Sequence, residues 1–307
     1  MDNLAIECRQ LTKRYDEQSV VNQVNLNVKR EHIYGLLGRN GAGKTTIMKM
    51  ILGLTAPTSG EVLIFGMPLQ RNEKRLYPRI GALIEKPGFY PNLTGTENLE
   101  IFAKLRGTTQ SDAVRKALDV VGLPYQDRKI FGQYSMGMKQ RLGIANAILH
   151  DPELLILDEP TNGLDPIGIA EMRAFIHNMS AQFGKTILIS SHILSEITLL
   201  ADDIGILHNG ILLEENTIAE LEKKNRKYIQ LEVSDAAKAV LTLEQDFSIK
   251  DYSVQDLHLL HVYDTSLDMG KINQALIQQG ITIISAQRCN DTLEDYFRKV
   301  TGGEGIA

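Results

Sequence analysis

The sequence has few cysteines and no long apolar run, and both absences narrow the class of protein it encodes. Cys8 and Cys289 are its only cysteines, so neither a disulfide framework nor a zinc site is expected, and a reducing cytoplasmic setting fits. No apolar run reaches the roughly 20 residues of a membrane-spanning helix, so another chain must do any spanning. Met1 to Leu4 lacks the features of a signal peptide. The net charge of −5 argues against nucleic acid as a partner.

The stretch 38–46 reads Gly-Arg-Asn-Gly-Ala-Gly-Lys-Thr-Thr and fits the pattern of a phosphate-binding loop. The apolar run 32–37 predicts a buried strand before it, and helical spacing over 45–54 predicts a helix after it. In such a loop the lysine reaches the β- and γ-phosphates and the hydroxyl that follows ligates Mg²⁺. A glycine-rich turn with a surface lysine is the alternative. The predicted ATP-binding residues are Gly38, Arg39, Asn40, Gly41, Ala42, Gly43, Lys44, Thr45 and Thr46.

Two carboxylates follow the aliphatic run 154–157, whose composition predicts a strand buried on both faces. Ligands of parallel sheets bind at the carboxyl ends of the strands, which is where Asp158 and Glu159 stand. We expect Asp158 to hold Mg²⁺ through water and Glu159 to polarise the attacking water. A solvated strand end without function is the alternative.

Residues 134–141 resemble the signature of the ATPase subunits of ABC transporters, which is Leu-Ser-Gly-Gly-Gln followed by a Gln-Arg pair. The positions that match are Ser135, Gly137, Gln140 and Arg141. The positions that differ are Tyr134, Met136 and Met138. The resemblance implies that the signature residues act in trans on ATP bound by a second copy of the chain. These residues are Ser135, Met136, Gly137 and Met138.

Further family elements follow in order, and the resemblance covers residues 5 to about 221. Gly163-Leu164-Asp165 resembles the D-loop, which adds Asp165 to the predicted site. His192 resembles the histidine that bonds the γ-phosphate and orients the water. Tyr15 resembles the aromatic residue that stacks on adenine, with an ordinary core tyrosine as the alternative.

Glu85 stands where ABC ATPases normally carry glutamine. Counting back from a family pattern further along the chain assigns this position. That pattern is Phe89, Tyr90, Pro91, Leu93, Thr94, Glu97 and Asn98. An ionised carboxylate only accepts hydrogen bonds, and it adds a charge near the triphosphate. We therefore expect Glu85 either on the Mg²⁺ side of the site or protonated when ATP is bound. A surface glutamate on a mobile loop is the alternative.

The glutamate resembles the E-loop of ATPase subunits for lantibiotic and bacteriocin self-immunity. The wording of residues 135–143 and of 292–297 also resembles bacitracin-resistance ATPases. The resemblance implies an ATP- and Mg²⁺-dependent homodimer, peripheral on the cytoplasmic face of a bacterial membrane. Integral membrane permease subunits would bind the peptide cargo. The alternatives are export of a lipid or small-molecule drug, a non-transport ABC protein, or a nucleotide switch without turnover.

The predicted fold class is α/β, a P-loop NTPase of the ABC ATPase type over residues 1–222. Apolar spacing is strand-like over 5–28 and helical over 94–121. Strands that alternate with helices predict a mostly parallel core sheet. The resemblance adds an antiparallel N-terminal β subdomain and a helical subdomain at about 90–150. Beyond the charged run 223–227, the order β-α-β-β-α-β predicts a small ferredoxin-like α+β domain over 226–307. That domain could brace a dimer, regulate activity or cover a sheet edge.

Overall fold

The computed structural model describes residues 3–85, 88–108, 112–224, 227–290 and 293–301. The chain divides into two units, one ending at Ile218 and the other beginning at Ala219. The boundary predicted from sequence, between residues 222 and 226, falls a few residues later. Asn225 and Arg226 lie outside the described residues, as does Thr292 of the 292–297 motif.

The elements of the first unit alternate between strands and helices over most of its length. Its strands are β1 (Leu4–Tyr15), β2 (Gln18–Lys29), β3 (Ile33–Leu37), β4 (Ser59–Ile64), β5 (Met67–Pro68), β6 (Ile80–Leu83), β7 (Leu154–Leu157), β8 (Thr186–Ser191), β9 (Asp203–His208) and β10 (Ile211–Thr217). Its helices are α1 (Lys44–Ile51), α2 (Leu69–Leu76), α3 (Gly95–Arg106), α4 (Ala113–Val120), α5 (Met136–Ile148), α6 (Pro166–Ala181) and α7 (Leu194–Thr198).

Two sheets make up this unit. The antiparallel sheet has the order β2-β1-β4-β5, which is the expected N-terminal β subdomain. The other has the order β10-β9-β3-β8-β7-β6 and is parallel except for the β9–β10 pair. β7 and β8 are buried at every position, as parallel strands covered on both faces should be. The carboxyl ends of β3, β6, β7 and β8 therefore meet along one edge.

One hydrophobic core of this unit joins the antiparallel sheet, α1 and one face of the parallel sheet. Its members include Cys8 of β1, Met48 of α1 and Ile156 of β7, all essentially inaccessible to solvent. Burial, and secondarily the nearby charge of Glu215, raises the pKa of the Cys8 thiol far above its usual value. The core thus fixes α1, and the loop that precedes it, against two sheets at once.

The predicted helical segment 94–121 is divided into two helices. Thr94 and Glu97 form a capping box at the start of α3, and Gly107 ends that helix in the left-handed region at φ 66°. α4 begins after Asp112, and α5 begins at Ser135, whose side chain accepts a hydrogen bond from the Met138 N–H. In the part of the chain described here, no helix is long and apolar enough to cross a membrane.

The second unit has its own antiparallel sheet and its own core. After α8 (Ile218–Lys224) come β11 (Lys227–Val233), α9 (Ala236–Phe247), β12 (Tyr252–Val254), β13 (Leu259–Val262), α10 (Met269–Gln278), β14 (Ile283–Asn290) and α11 (Leu293–Val300). The sheet order is β12-β13-β11-β14, and α9 and α10 bury Ile229, Leu231 and Leu260 of that sheet. The predicted β-α-β-β-α-β order is present, and Gly280 follows α10 at φ 72°.

Candidate functional site

The predicted phosphate-binding loop joins β3 to α1 at the edge where the strand ends meet. Gly43 stands at the N-cap of α1 with φ 108°, a conformation that side chains rarely adopt. The Gly38 N–H donates to the Ser191 carbonyl (3.2 Å), which ties the loop to the end of β8. The first backbone N–H groups of α1 and its dipole favour a bound anion.

Lys44 places its charge at the mouth of this loop. Its side chain is only 4% exposed. The ammonium donates to the carbonyls of Gly38 (2.6 Å) and Arg39 (3.2 Å). It also lies 3.2 Å from Glu159 Oε1. The loop and the carboxylate that follows β7 therefore share one ammonium group.

Asp158 is bonded on both of its carboxylate oxygens. Thr45 Oγ1 donates to Oδ2 (2.8 Å), and Ser190 Oγ donates to Oδ1 (2.6 Å). Ser190 is fully buried, and its hydroxyl also accepts from the Glu159 N–H (2.8 Å). Ser190 was not among the residues predicted from sequence. Its signal is a polar residue at the carboxyl end of β8, the neighbour of β7.

Glu159 lies between the loop lysine and the predicted histidine. Its Oε2 is 2.6 Å from His192 Nδ1, while its other oxygen faces Lys44. The Glu159 backbone is left-handed (φ 48°), and its side chain is 18% exposed. A carboxylate held at both oxygens and still open to solvent can accept a proton from a positioned water.

Glu85 follows β6 at the same edge, again with left-handed backbone (φ 58°). Its side chain is 63% exposed, and Oε1 is 2.6 Å from Lys49 Nζ. The hydrogen bond with Glu85 is the main cause that raises the pKa of Lys49. Glu85, Asp158 and Glu159 line one cavity of about 570 Å³.

The oxygen donors at this edge suit Mg²⁺ in character. Within the described ranges, no group of three His, Cys, Asp or Glu side chains could hold a metal ion. Mg²⁺, however, commonly binds one or two protein oxygens and completes its shell with water and substrate phosphates. The hydroxyl of Thr45 and the carboxylate of Asp158, 2.8 Å apart at the phosphate-binding loop, fit that kind of site.

The signature residues lie at the N-terminus of α5. Ser135 and Met136 are exposed, Gly137 and Met138 are half-buried, and the Ser135 hydroxyl caps the helix. Exposure at a helix N-terminus suits an anion presented by another molecule. Met136 also lines the cavity that Glu85 and Asp158 share.

Tyr15 and Asp165 complete the predicted site residues. Tyr15 ends β1 with 48% of its surface exposed, which excludes the core-tyrosine alternative. The Lys13 ammonium lies 4.9 Å from the centroid of its ring. Asp165 caps α6 by accepting from the Gly168 N–H (2.9 Å), so its structural role is local.

This chain belongs to the ABC transporter family. The family's sequence profile, described as ABC transporter, matches residues 21–162. The chain is 54% identical over 302 residues to the bacitracin transport ATP-binding protein BcrA of Enterococcus faecalis, covering 98% of both. It is 44% identical over 211 residues to the lantibiotic transport ATP-binding protein SrtF of Streptococcus pyogenes, covering 68% of this chain and 90% of SrtF.

The fold is that of the family's ATP-binding cassette. The solved dimeric structure of the ABC transporter cassette MJ0796 matches with a TM-score of 0.63 at 25% identity, covering 69% of this chain and 98% of that one. The chain is thus an ATP-binding subunit that hydrolyses ATP. The predictions of the family, its bacitracin and lantibiotic group, the fold class and the ATPase activity are confirmed.

Proposed function

We propose that this chain powers the removal of a peptide antibiotic of the bacitracin or lantibiotic kind. The observation that carries the ATPase part of the proposal is the Glu159 carboxylate. It is bonded to Lys44 of the phosphate-binding loop on one side and to His192 on the other. Two predicted catalytic residues and the loop lysine therefore meet at one point.

In this proposal residues 38–46 bind the triphosphate, with Lys44 on the β- and γ-phosphates. Thr45 and Asp158 hold Mg²⁺, and Glu85 stands beside them at the shared cavity. When bound, Mg²⁺ neutralises charge on the β- and γ-phosphate oxygens. The exposed ring of Tyr15 stacks on the adenine base.

The protein's share of the chemistry is to position the water that attacks the γ-phosphate. Glu159 orients this water and accepts its proton. His192 holds the Glu159 carboxylate through Nδ1 and bonds the γ-phosphate. Since little covalent chemistry is left to the protein, most of the rate enhancement comes from this positioning and from charge stabilisation.

A second copy of the chain completes each ATP site. It supplies the signature residues Ser135, Met136, Gly137 and Met138, and Asp165 lies beside that contact. The exposure of Ser135 and Met136 at the N-terminus of α5 supports this arrangement. The dimeric state of the cassette MJ0796 supports it as well.

The cargo and the membrane partners follow from the relatives. BcrA is named for bacitracin transport and SrtF for lantibiotic transport. We infer that separate integral membrane permease subunits bind the peptide and that this chain works peripherally at the cytoplasmic face of a bacterial membrane. Nucleic acid has no part in this function.

The ATPase assignment is tested by Glu159→Gln, which keeps the size of the side chain and removes the proton acceptor. We expect turnover in a phosphate-release assay to fall about a hundredfold or more while ATP binding persists. The matched control is Glu153→Gln. Glu153 directly precedes β7, at the end of the strand away from Glu159, and its carboxylate pairs with Arg79. Undiminished turnover in Glu159→Gln would overturn the assignment of the base.

The cargo assignment is tested in a susceptible bacterium that expresses the chain with its permease subunits. We expect the inhibitory concentration of bacitracin or of a lantibiotic to rise with the wild-type chain and not with Glu159→Gln. A wild-type chain that hydrolyses ATP in that host but protects against neither peptide would point to a different cargo.

A further inference from the structure

Lys49 and Glu85 form an ion pair beside the nucleotide site, and the function proposed above gives Lys49 no role. The Nζ to Oε1 distance is 2.6 Å, with the lysine side chain 34% exposed and the glutamate 63% exposed. The two residues are 36 positions apart in sequence and come from different elements, α1 and the end of β6. The pair therefore links the helix of the phosphate-binding loop to the segment that carries Glu85.

Lys49 lies on the same face of α1 as Thr45, whose hydroxyl belongs to the proposed magnesium site. Thr45 and Lys49 are four residues apart on α1, so their side chains neighbour each other on one face. Thr45 Oγ1 bonds Asp158, and the charge of Asp158 contributes to raising the pKa of Lys49. The Lys49 ammonium is thus within electrostatic reach of the carboxylate that faces Thr45.

Glu85 lies between an ion-pair partner and a cavity. One is the Lys49 ammonium, and the other is the cavity that it lines together with Asp158 and Glu159. Three carboxylates in one cavity repel one another and the phosphates of ATP, whereas a neutral glutamine in place of Glu85 would not add to that repulsion. The Lys44 ammonium offsets the charge of Glu159, and the Lys49 ammonium offsets the charge of Glu85.

We propose that Lys49 is a positioning residue for Glu85, holding its carboxylate at the rim of the cavity until Glu85 turns to the Mg²⁺ that accompanies ATP. This inference rests on the proposed role of Glu85 in the nucleotide site. Lys49 and Mg²⁺ then compete for the same carboxylate. A chain without the lysine should couple metal binding to nucleotide binding more strongly.

The experiment measures this coupling without hydrolysis. The dissociation constant of the ATP analogue AMP-PNP is determined once in EDTA and once in Mg²⁺. The ratio, the value in EDTA divided by the value in Mg²⁺, reports how strongly the metal favours nucleotide binding. We expect Lys49→Met to raise the ratio about two- to fivefold, because an exposed ion pair is weak and its loss frees the carboxylate. Methionine is a good helix former, so α1 should be preserved. Lys49→Arg should leave the ratio within about twofold.

A double-mutant comparison isolates the pair. In a Glu85→Ala background, Lys49→Met should leave the ratio unchanged, because no carboxylate remains to be released. Lys116→Met, which removes an exposed ion pair with Asp112 on α4, is the matched control and should match wild type. The inference is overturned if Lys49→Met leaves the ratio unchanged, or shifts it equally in both backgrounds. If wild-type AMP-PNP binding does not respond to Mg²⁺ at all, the proposed magnesium site fails instead.

Discussion

At the scale of single residues, the two carboxylates at the end of β7 depend on one buried hydroxyl. Ser190 donates to Asp158 and accepts from the Glu159 backbone, so it fixes the side chain of one and the main chain of the other. Asp158 is itself buried, and an unpaired carboxylate oxygen there is costly. Ser190 thus couples Asp158, the proposed magnesium holder, to Glu159, the proposed general base.

Ser190→Ala should therefore weaken both stability and catalysis. We expect the free energy of unfolding to fall by about 1–3 kcal/mol in urea titrations. We expect kcat to fall on the order of tenfold, since small displacements of catalytic groups are expensive in rate.

The control for Ser190→Ala is Ser191→Ala, the same substitution at the next residue. Ser191 is also buried, but its hydroxyl bonds Ile193 rather than either carboxylate. Ser191→Ala should keep kcat close to wild type. Equal losses in both variants would mean that the effect comes from the end of β8 in general.

Which residues meet at the candidate site was predictable from sequence, whereas some of their hydrogen-bond partners were not. Five of the predicted residues stand in short sequence motifs, and the fold brings them together at one site. They are Lys44, Thr45, Asp158, Glu159 and His192. Ser190 and Lys49 gain their roles from strand adjacency and from a contact across 36 residues. A linear sequence shows neither.

At the scale of elements, the phosphate-binding loop passes close to β2 at Gly43. A Cβ on Gly43 would lie 2.8 Å from the Val20 carbonyl, whereas a Cβ on Gly41 would have no atom within 4 Å. Both glycines have positive φ, at 108° and 84°. A substitution at either position strains the backbone, and a substitution at Gly43 adds a clash with β2.

Gly41→Ala and Gly43→Ala therefore form a matched pair. Gly41→Ala should lower the free energy of unfolding by roughly 1–2 kcal/mol, the cost of a side chain in the left-handed region. Gly43→Ala should cost clearly more and should weaken AMP-PNP binding, because β2 or the loop must move. Urea midpoints and a binding titration measure both, and equal losses would contradict the clash.

Element types were predictable where periodicity was strong, and their ends depended on single backbone conformations. The strand-like pattern 5–28 is divided at a turn where Asp16 has φ 51°, and the helical pattern 94–121 is divided after Gly107. Each break falls in a short run without apolar residues, 16–19 or 106–112, and the apolar spacing on either side of it does not mark where an element ends. By contrast, the boundaries of β7 were predicted to the residue.

At the scale of the whole molecule, the two units have separate cores. One core of the first unit draws on residues 6–212, and one core of the second unit on residues 229–286. Since each unit has a hydrophobic core of its own, each meets the physical requirement for folding alone.

Fragments 1–218 and 219–307 should each unfold cooperatively when expressed separately. Fragment 1–218 should bind AMP-PNP within about threefold of the full chain, because its core and its site residues all precede residue 219. Fragment 1–200 is the control, since it lacks β9, which pairs with β3 beside the phosphate-binding loop. If fragment 1–218 showed no cooperative thermal transition, the separation of the cores would be insufficient for independent folding.

The burial of Cys8 has a practical consequence for following this protein at work. The thiolate is the form of a cysteine that attacks a maleimide, and burial raises the pKa of Cys8 so far that this form is scarce. The half-buried Cys289 is the other cysteine of the chain. With Cys289→Ser the chain becomes almost inert to maleimides, so a fluorophore on Met136→Cys would report on its own surroundings alone.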